Sequence, residues 1–185
     1  MELTEKKLSG ETIYSGRIVS LEKDMVELEN GRTAEREVVR HPGGVCVAAL
    51  DDEGNTYLVR QLRYPYQEVL PELPAGKLDK GNEDPLEAGK RELREETGLI
   101  AQEYYDLGKL YPSPGYCDEI IHLYAATGLT KASQELDDDE FLEVDQIKLD
   151  KAVEMVLEGA IRDAKTQAAL LKLKLLIDAG RLTKA

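Results

Sequence analysis

The segment from Asp84 to Gly98 leaves the chain fewer choices than any other. Asp84-Pro85-Leu86-Glu87 opens a helix by local chemistry. Asp84 can cap the first free amides, Pro85 suits a first turn that needs no amide hydrogen, and Glu87 stands at the third position, as in a capping box. Gly98 is placed to end the helix in the left-handed conformation. These signals predict a helix over 85–97. Its C-terminal half, Arg91-Glu92-Leu93-Arg94-Glu95-Glu96-Thr97, is too acidic for its place. Glu92 and Glu96, four apart, project from one face, and Glu95 lies three from Glu92, so the three carboxylates can reach one volume. Like charges at this spacing repel by about 0.3 kcal/mol, and carboxylates in a last turn oppose the helix dipole at about 0.3–1 kcal/mol each. Arg91 and Arg94 can offset part of that cost. A solvated charged face would account for such a run. A bound divalent cation would turn the same liability into ligands, and hard carboxylate oxygens suit Mg²⁺ or Mn²⁺.

The 185 residues are enough for one domain with a single core, and 42% apolar content can fill it. With 24 basic and 37 acidic residues the net charge is −13. That excludes nucleic acid or an anionic membrane bound by bulk electrostatics, but not a small anion held through a metal. A base-stacking platform would rest on nine Tyr, since there is no Trp and one Phe. The longest apolar runs, such as 45–50, fall far below the roughly 18 residues of a membrane span, and the first residues form no secretory h-region. Cys46 and Cys117 have no metal-type spacing and read as reduced thiols, so a cytoplasmic protein is expected.

Strand patterns appear at 12–21 and 24–29, then at 32–40 after Asn30-Gly31, a pair suited to a type I′ hairpin. Further strands are expected at 45–50, 56–62, 104–111 and 119–125, and further helices at 151–158 and 164–179. This is a mixed α/β arrangement, a sheet covered by helices, whose strand-rich lead can form a small extra sheet.

Gly76 to Glu83, followed after seven residues by Arg91-Glu92-Leu93-Arg94-Glu95-Glu96-Thr97-Gly98-Leu99, resembles the Nudix box. Glu83 to Leu99 fits at every specified position. Six residues separate Gly76 from Glu83 where the family pattern has five, so a residue near Asn82 is inserted. Other stretches are similar to the ADP-ribose pyrophosphatase branch of the Nudix hydrolases. They include Arg36-Glu37-Val38-Val39-Arg40, Arg60-Gln61-Leu62-Arg63-Tyr64, Glu72-Leu73-Pro74-Ala75-Gly76, Ser113-Pro114-Gly115 and Asp137-Asp138-Asp139-Glu140-Phe141. The resemblance implies an α/β/α sandwich on a mixed sheet. It implies a dimerisation segment at 1–40, a hydrolase domain at 41–185, and a homodimer.

The same resemblance implies Mg²⁺-dependent hydrolysis of ADP-ribose to AMP and ribose 5-phosphate, with Mn²⁺ as the other candidate ion. Metal ligands would be Glu92, Glu95, Glu96, Glu140 and the backbone carbonyl of Ala75. The catalytic base falls on the acidic loop, at Asp138 or Glu140, with Glu95 next in line; Phe141 and Leu142 can anchor that loop on the core. Substrate contacts would come from Arg36, Glu37, Arg40, Arg63, Ser113, Gly115 and Glu119. Two alternatives stay open. One is a Nudix hydrolase for another nucleoside diphosphate derivative, such as a sugar nucleotide, NADH or FAD. The other is a nucleotide-binding module without turnover.

Overall fold

Three strands at the N-terminus, β1 (Lys6–Ser15), β2 (Ser20–Glu27) and β3 (Thr33–Arg40), form an antiparallel sheet in sequence order. The structure is a computed structural model that describes residues 3–78, 81, 83–136 and 141–182. It divides into two compact units, residues 1–43 with 111–120, and residues 44–110 with 121–185. In the first unit, segment 111–120 returns to β3, where Val39 donates its amide to Tyr116 O at 2.7 Å and accepts from Asp118 N at 3.1 Å.

Two local expectations need correction here. The run 12–21 is not one strand: Ser15 pairs with Ser20, and Gly16 donates to Val19 O at 2.9 Å across a turn. The apolar residues on both sides masked Ser15-Gly16, a turn-forming dipeptide. The second hairpin is not type I′, because Gly31 has φ 77° while Asn30 is not among the positive-φ residues. Instead, Leu28 O accepts from Gly31 N at 2.9 Å, and the Asn30 side chain accepts from Arg32 N at 3.0 Å. A side chain satisfying the backbone two residues on is the local alternative that Asn offers a turn.

The second unit runs β4 (Gly44–Ala49), β5 (Asn55–Arg63), β6 (Glu68–Glu72), β7 (Ala75–Lys77), α1 (Pro85–Thr97), β8 (Leu99–Ile100) and β9 (Glu103–Leu110). It continues with β10 (Ile121–Thr127), β11 (Thr130–Lys131), β12 (Leu142–Lys148), α2 (Leu149–Leu157) and α3 (Ala164–Asp178). Its central sheet has the order β7-β4-β10-β9, with β4 and β10 parallel and the outer pairs antiparallel, so it is mixed. A second sheet has the order β12-β5-β6, and β8 pairs with β11. Strands β6 and β7 carry no sequence signature, because Pro71 and Pro74 punctuate the stretch. Both lie at sheet edges, where a missing amide hydrogen is tolerated.

Strand β4 is buried on both faces and sorts the core by parity. Val45, Val47 and Ala49 pack with Ala88 and Leu93 of α1, whereas Cys46 and Ala48 pack with Leu170 and Leu173 of α3 and Ala152 of α2. Helices therefore cover both faces, which is the α/β/α sandwich. Each fully buried Leu or Val contributes roughly 1.5–3 kcal/mol. Among the described residues no helix is long and apolar enough to cross a membrane.

Candidate active site

Helix α1 begins and ends where its sequence dictates. Asp84 accepts from Leu86 N at 2.9 Å and Glu87 N at 3.3 Å, and Gly98, at φ 66°, donates to Arg94 O at 2.8 Å. Glu92 and Glu96 are buried, at 8% and 3% exposure, and Glu95 is half-buried. Arg91 supplies the positive charge among them. Its Nη1 donates to Glu92 Oε1 and Glu95 Oε2, both at 2.7 Å, while Nε and Nη2 hold Glu83 at 3.1 and 3.0 Å. Burial opposes the Arg91 charge, but the bonds to Glu83, Glu95 and Glu92 outweigh it and hold its pKa above the ordinary arginine value. Arg94 turns away to Glu135. Among the described residues no three His, Cys, Asp or Glu side chains are already gathered as a metal cage.

The strand before the helix meets these carboxylates closely. Ala75 N donates to Glu96 Oε2 at 3.0 Å. A Cβ on Gly76 would sit 2.0 Å from both Cδ and Oε1 of Glu92, so only glycine lets the strand approach. The residue inserted near Asn82 lies outside the described residues. Gly76 keeps its place regardless, because β7 pairs with β4 as Gly76↔Val45 and Ala75↔Cys46.

Just upstream lies a buried ionic network that the sequence patterns missed. Glu72 is 1% exposed. Arg63 grips it side-on, Nε to Oε1 at 2.6 Å and Nη2 to Oε2 at 2.7 Å, and Lys165 of α3 bonds Oε2 as well. Lys165 also bonds Asp163 Oδ1 at 2.9 Å, while Asp163 Oδ2 accepts from Thr166 N at 2.9 Å and Thr166 Oγ1 at 2.6 Å. Thr166 Oγ1 in turn accepts from Leu73 N at 2.9 Å. Burial pushes the Glu72 carboxyl upward, but the bond from Arg63 and the nearby Lys165 charge win and hold it below the usual range. Burial likewise opposes the Lys165 charge, and Asp163 and Glu72 overcome it, raising its pKa. The available signal was the cap pattern at Asp163 and Thr166; nothing local pairs Lys165 with Glu72.

The remaining predicted residues fall in two places. Arg63 has Nε and Nη2 committed to Glu72. In the first unit, Arg36 grips both carboxylate oxygens of Glu5, and Arg40 is bound to Glu22 and Asp118 at 3.0 Å. Glu37 pairs with Lys23 across β2 and β3 and is exposed. The Ser113 carbonyl closes a turn by accepting from Tyr116 N and Cys117 N. Gly115 and Glu119 line a cavity of about 350 Å³ with Val38, Tyr111 and Tyr116. Glu119 Oε1 lies 3.4 Å from His41 Nδ1. Asp138 and Glu140 lie outside the described residues. Phe141 does not anchor their loop on the core, since it is 81% exposed. The chain enters β12 only at Leu142, so Phe141 precedes the pairing that would fix it.

Residues 40–170 match the family model described as the NUDIX domain, well over half of the chain. The chain belongs to the NUDIX family. Residues 5–39 of this Nudix protein match a second model, the nucleoside diphosphate sugar hydrolase N-terminal domain. A methanol dehydrogenase activator from Bacillus methanolicus is 46% identical over 173 residues, spanning 92% of this chain and 93% of that protein. An ADP-ribose pyrophosphatase from Bacillus subtilis is 43% identical over 175 residues, spanning 94% of each. The crystal structure of an ADP compounds hydrolase aligns with a TM-score of 0.83 at 25% identity, covering 98% of this chain and 100% of that one. The mixed sheet with helices on both faces is thus the Nudix fold.

Proposed function

We propose that this Nudix protein is a cytoplasmic, Mg²⁺-dependent ADP-ribose pyrophosphatase that converts ADP-ribose and water to AMP and ribose 5-phosphate. The observation that carries the reading is the buried pair Glu92 and Glu96, set against the dipole of α1 and packed on the backbone of Ala75 and Gly76. The donor set fits a hard divalent ion, because Glu92, Glu95, Glu96 and the Ala75 carbonyl offer oxygen only. Glu140 completes the proposed ligands. When bound, the ion neutralises pyrophosphate charge and makes a coordinated water more acidic. The chain's own groups do the rest. Asp138 or Glu140 takes the proton of a water that adds to phosphorus as the bridging P–O bond breaks, with Glu95 as the alternative base. Arg63 offers charge to a phosphate, and Arg36, Glu37, Arg40, Ser113, Gly115 and Glu119 contact the substrate. Residues 1–40 serve as a dimerisation segment and 41–185 as the hydrolase domain.

The N-terminal match to a nucleoside diphosphate sugar hydrolase domain favours sugar nucleotides as a second substrate class. The other alternative is a nucleotide-binding module without turnover. A panel of ADP-ribose, ADP-sugars, NADH, FAD and nucleoside triphosphates with Mg²⁺, with products separated chromatographically, decides among these. AMP released fastest from ADP-ribose supports the proposal. Faster turnover of a sugar nucleotide favours the second class, and binding without product defeats the enzyme reading.

A further inference from the structure

The four residues that lead into Gly76 are each held by a different contact. Glu72 is held through its side chain by Arg63 and Lys165, and Leu73 through its amide by Thr166 Oγ1. Pro74 is held through its carbonyl by Val47 N at 2.9 Å, and Ala75 through its amide by Glu96 Oε2. Two of these contacts, from Lys165 and Thr166, come from the first turn of α3, which lies far along the chain and which the reaction proposed above does not use. That turn is itself locked, since Asp163 binds both Lys165 and Thr166. The network balances two cations, Arg63 and Lys165, against two carboxylates, Glu72 and Asp163. A buried ionic cluster of this kind is seldom needed for stability, because well-packed apolar residues do as well or better. What it does supply is a fixed direction for the backbone it grips, the kind of support a ligand-bearing carbonyl requires.

We infer that Lys165 is a positioning residue, which clamps Glu72 so that the Ala75 carbonyl and the Arg63 guanidinium point where the proposed metal and phosphate need them. The inference rests on the metal-hydrolase reading and extends it to a side chain that touches neither metal nor substrate. Lys165 shares the Glu72 carboxylate with Arg63 and ties it to the capped end of α3. Thr166 adds a second tie one residue further along the same strand. Removal of the Lys165 charge leaves the Glu72 carboxylate to Arg63 alone and loosens the Glu72 end of segment 72–75, while the contacts to Leu73, Pro74 and Ala75 stay.

The test uses full-length wild type, Lys165→Met and Thr166→Val. Mn²⁺ affinity is read from the free-ion electron paramagnetic resonance signal without substrate, kcat and KM for ADP-ribose at saturating Mg²⁺, and folding from circular dichroism melts. Loss of a residue that orients a metal ligand weakens binding or activity by roughly 10- to 100-fold. Lys165→Met is therefore expected to weaken Mn²⁺ binding and lower kcat by about 10-fold or more, with KM changed less, and Thr166→Val to move both in the same direction. A folded Lys165→Met with wild-type Mn²⁺ affinity and kcat overturns the clamp while leaving the metal-hydrolase reading intact. If Lys165→Met does not fold, Thr166→Val decides: wild-type values in that variant overturn the clamp. A wild-type protein that binds no Mn²⁺ defeats the metal reading and the clamp together.

Discussion

Glu96 does two things that a glutamine would separate. Its Oε2 accepts from Ala75 N, which an amide oxygen can also do, and it carries a charge opposed to the helix dipole, which an amide does not. Glu96→Gln should therefore keep the fold, stabilise the metal-free protein slightly, and lower kcat by about 10²-fold or more if the charge holds a metal. Circular dichroism melts beside steady-state rates check this, and wild-type turnover by the folded variant would sink the metal site. In the acidic loop, Glu140→Gln and Asp138→Asn should each lower kcat, one of them by roughly 10²-fold, the scale of a lost general base. Near-normal rates in both would move the base to Glu95. Asp51 carries a stability effect instead. Burial works against its charge, but hydrogen bonds from Asn55, Gln146 and Tyr57 bring its pKa from 3.8 to about 2. A carboxyl depressed on folding stabilises fully above its unfolded pKa and loses that contribution as pH falls through the folded value. The urea-midpoint gap between wild type and Asp51→Asn should accordingly be constant above pH 5 and close as the pH drops toward 2.

Strand β1 is exposed at all ten of its positions, among them Leu8, Ile13 and Tyr14. A long edge strand with apolar side chains on show is normally covered or paired. The β1-β2-β3 sheet has little core of its own, with Val26 its one buried apolar side chain among the described residues. A second copy of the chain would complete that burial, so light scattering should find a homodimer at micromolar concentration. A monomer with full activity would refute it. The cap of α1 is a separate matter of local chemistry: Asp84→Ala should cost about 1 kcal/mol, measured by denaturant unfolding.

Across the whole molecule, 37 acidic against 24 basic residues attract cations, and a cation that binds only the folded state stabilises it by mass action. At about 100 times its dissociation constant such a ligand adds about 2.7 kcal/mol, which for a chain of this size is a Tm rise of roughly 5–10 °C. Mg²⁺ or Mn²⁺ should produce that rise in wild type and a smaller one in Glu96→Gln. Removal of divalent ions with EDTA should abolish hydrolysis, and added Mg²⁺ should restore it. A Tm and a rate indifferent to both treatments would contradict the metal requirement.

What could be read from the sequence was local. Helix α1 runs over the expected 85–97 because Asp84, Pro85 and Gly98 act on their own neighbouring amides, and any chain carrying them there is driven to the same ends. Glu92 and Glu96 share a face by helical spacing alone. The failures were local signals overridden or ambiguous: the strand expected over 12–21 breaks at Ser15-Gly16, and Asn30 uses its side chain rather than a left-handed backbone. Only the tertiary structure decided that segment 111–120 joins the N-terminal strands and that Lys165 reaches Glu72, 93 positions away. Sequence patterns register the periodicity of one element, whereas a buried charge chooses its partner by the distance and desolvation that packing imposes.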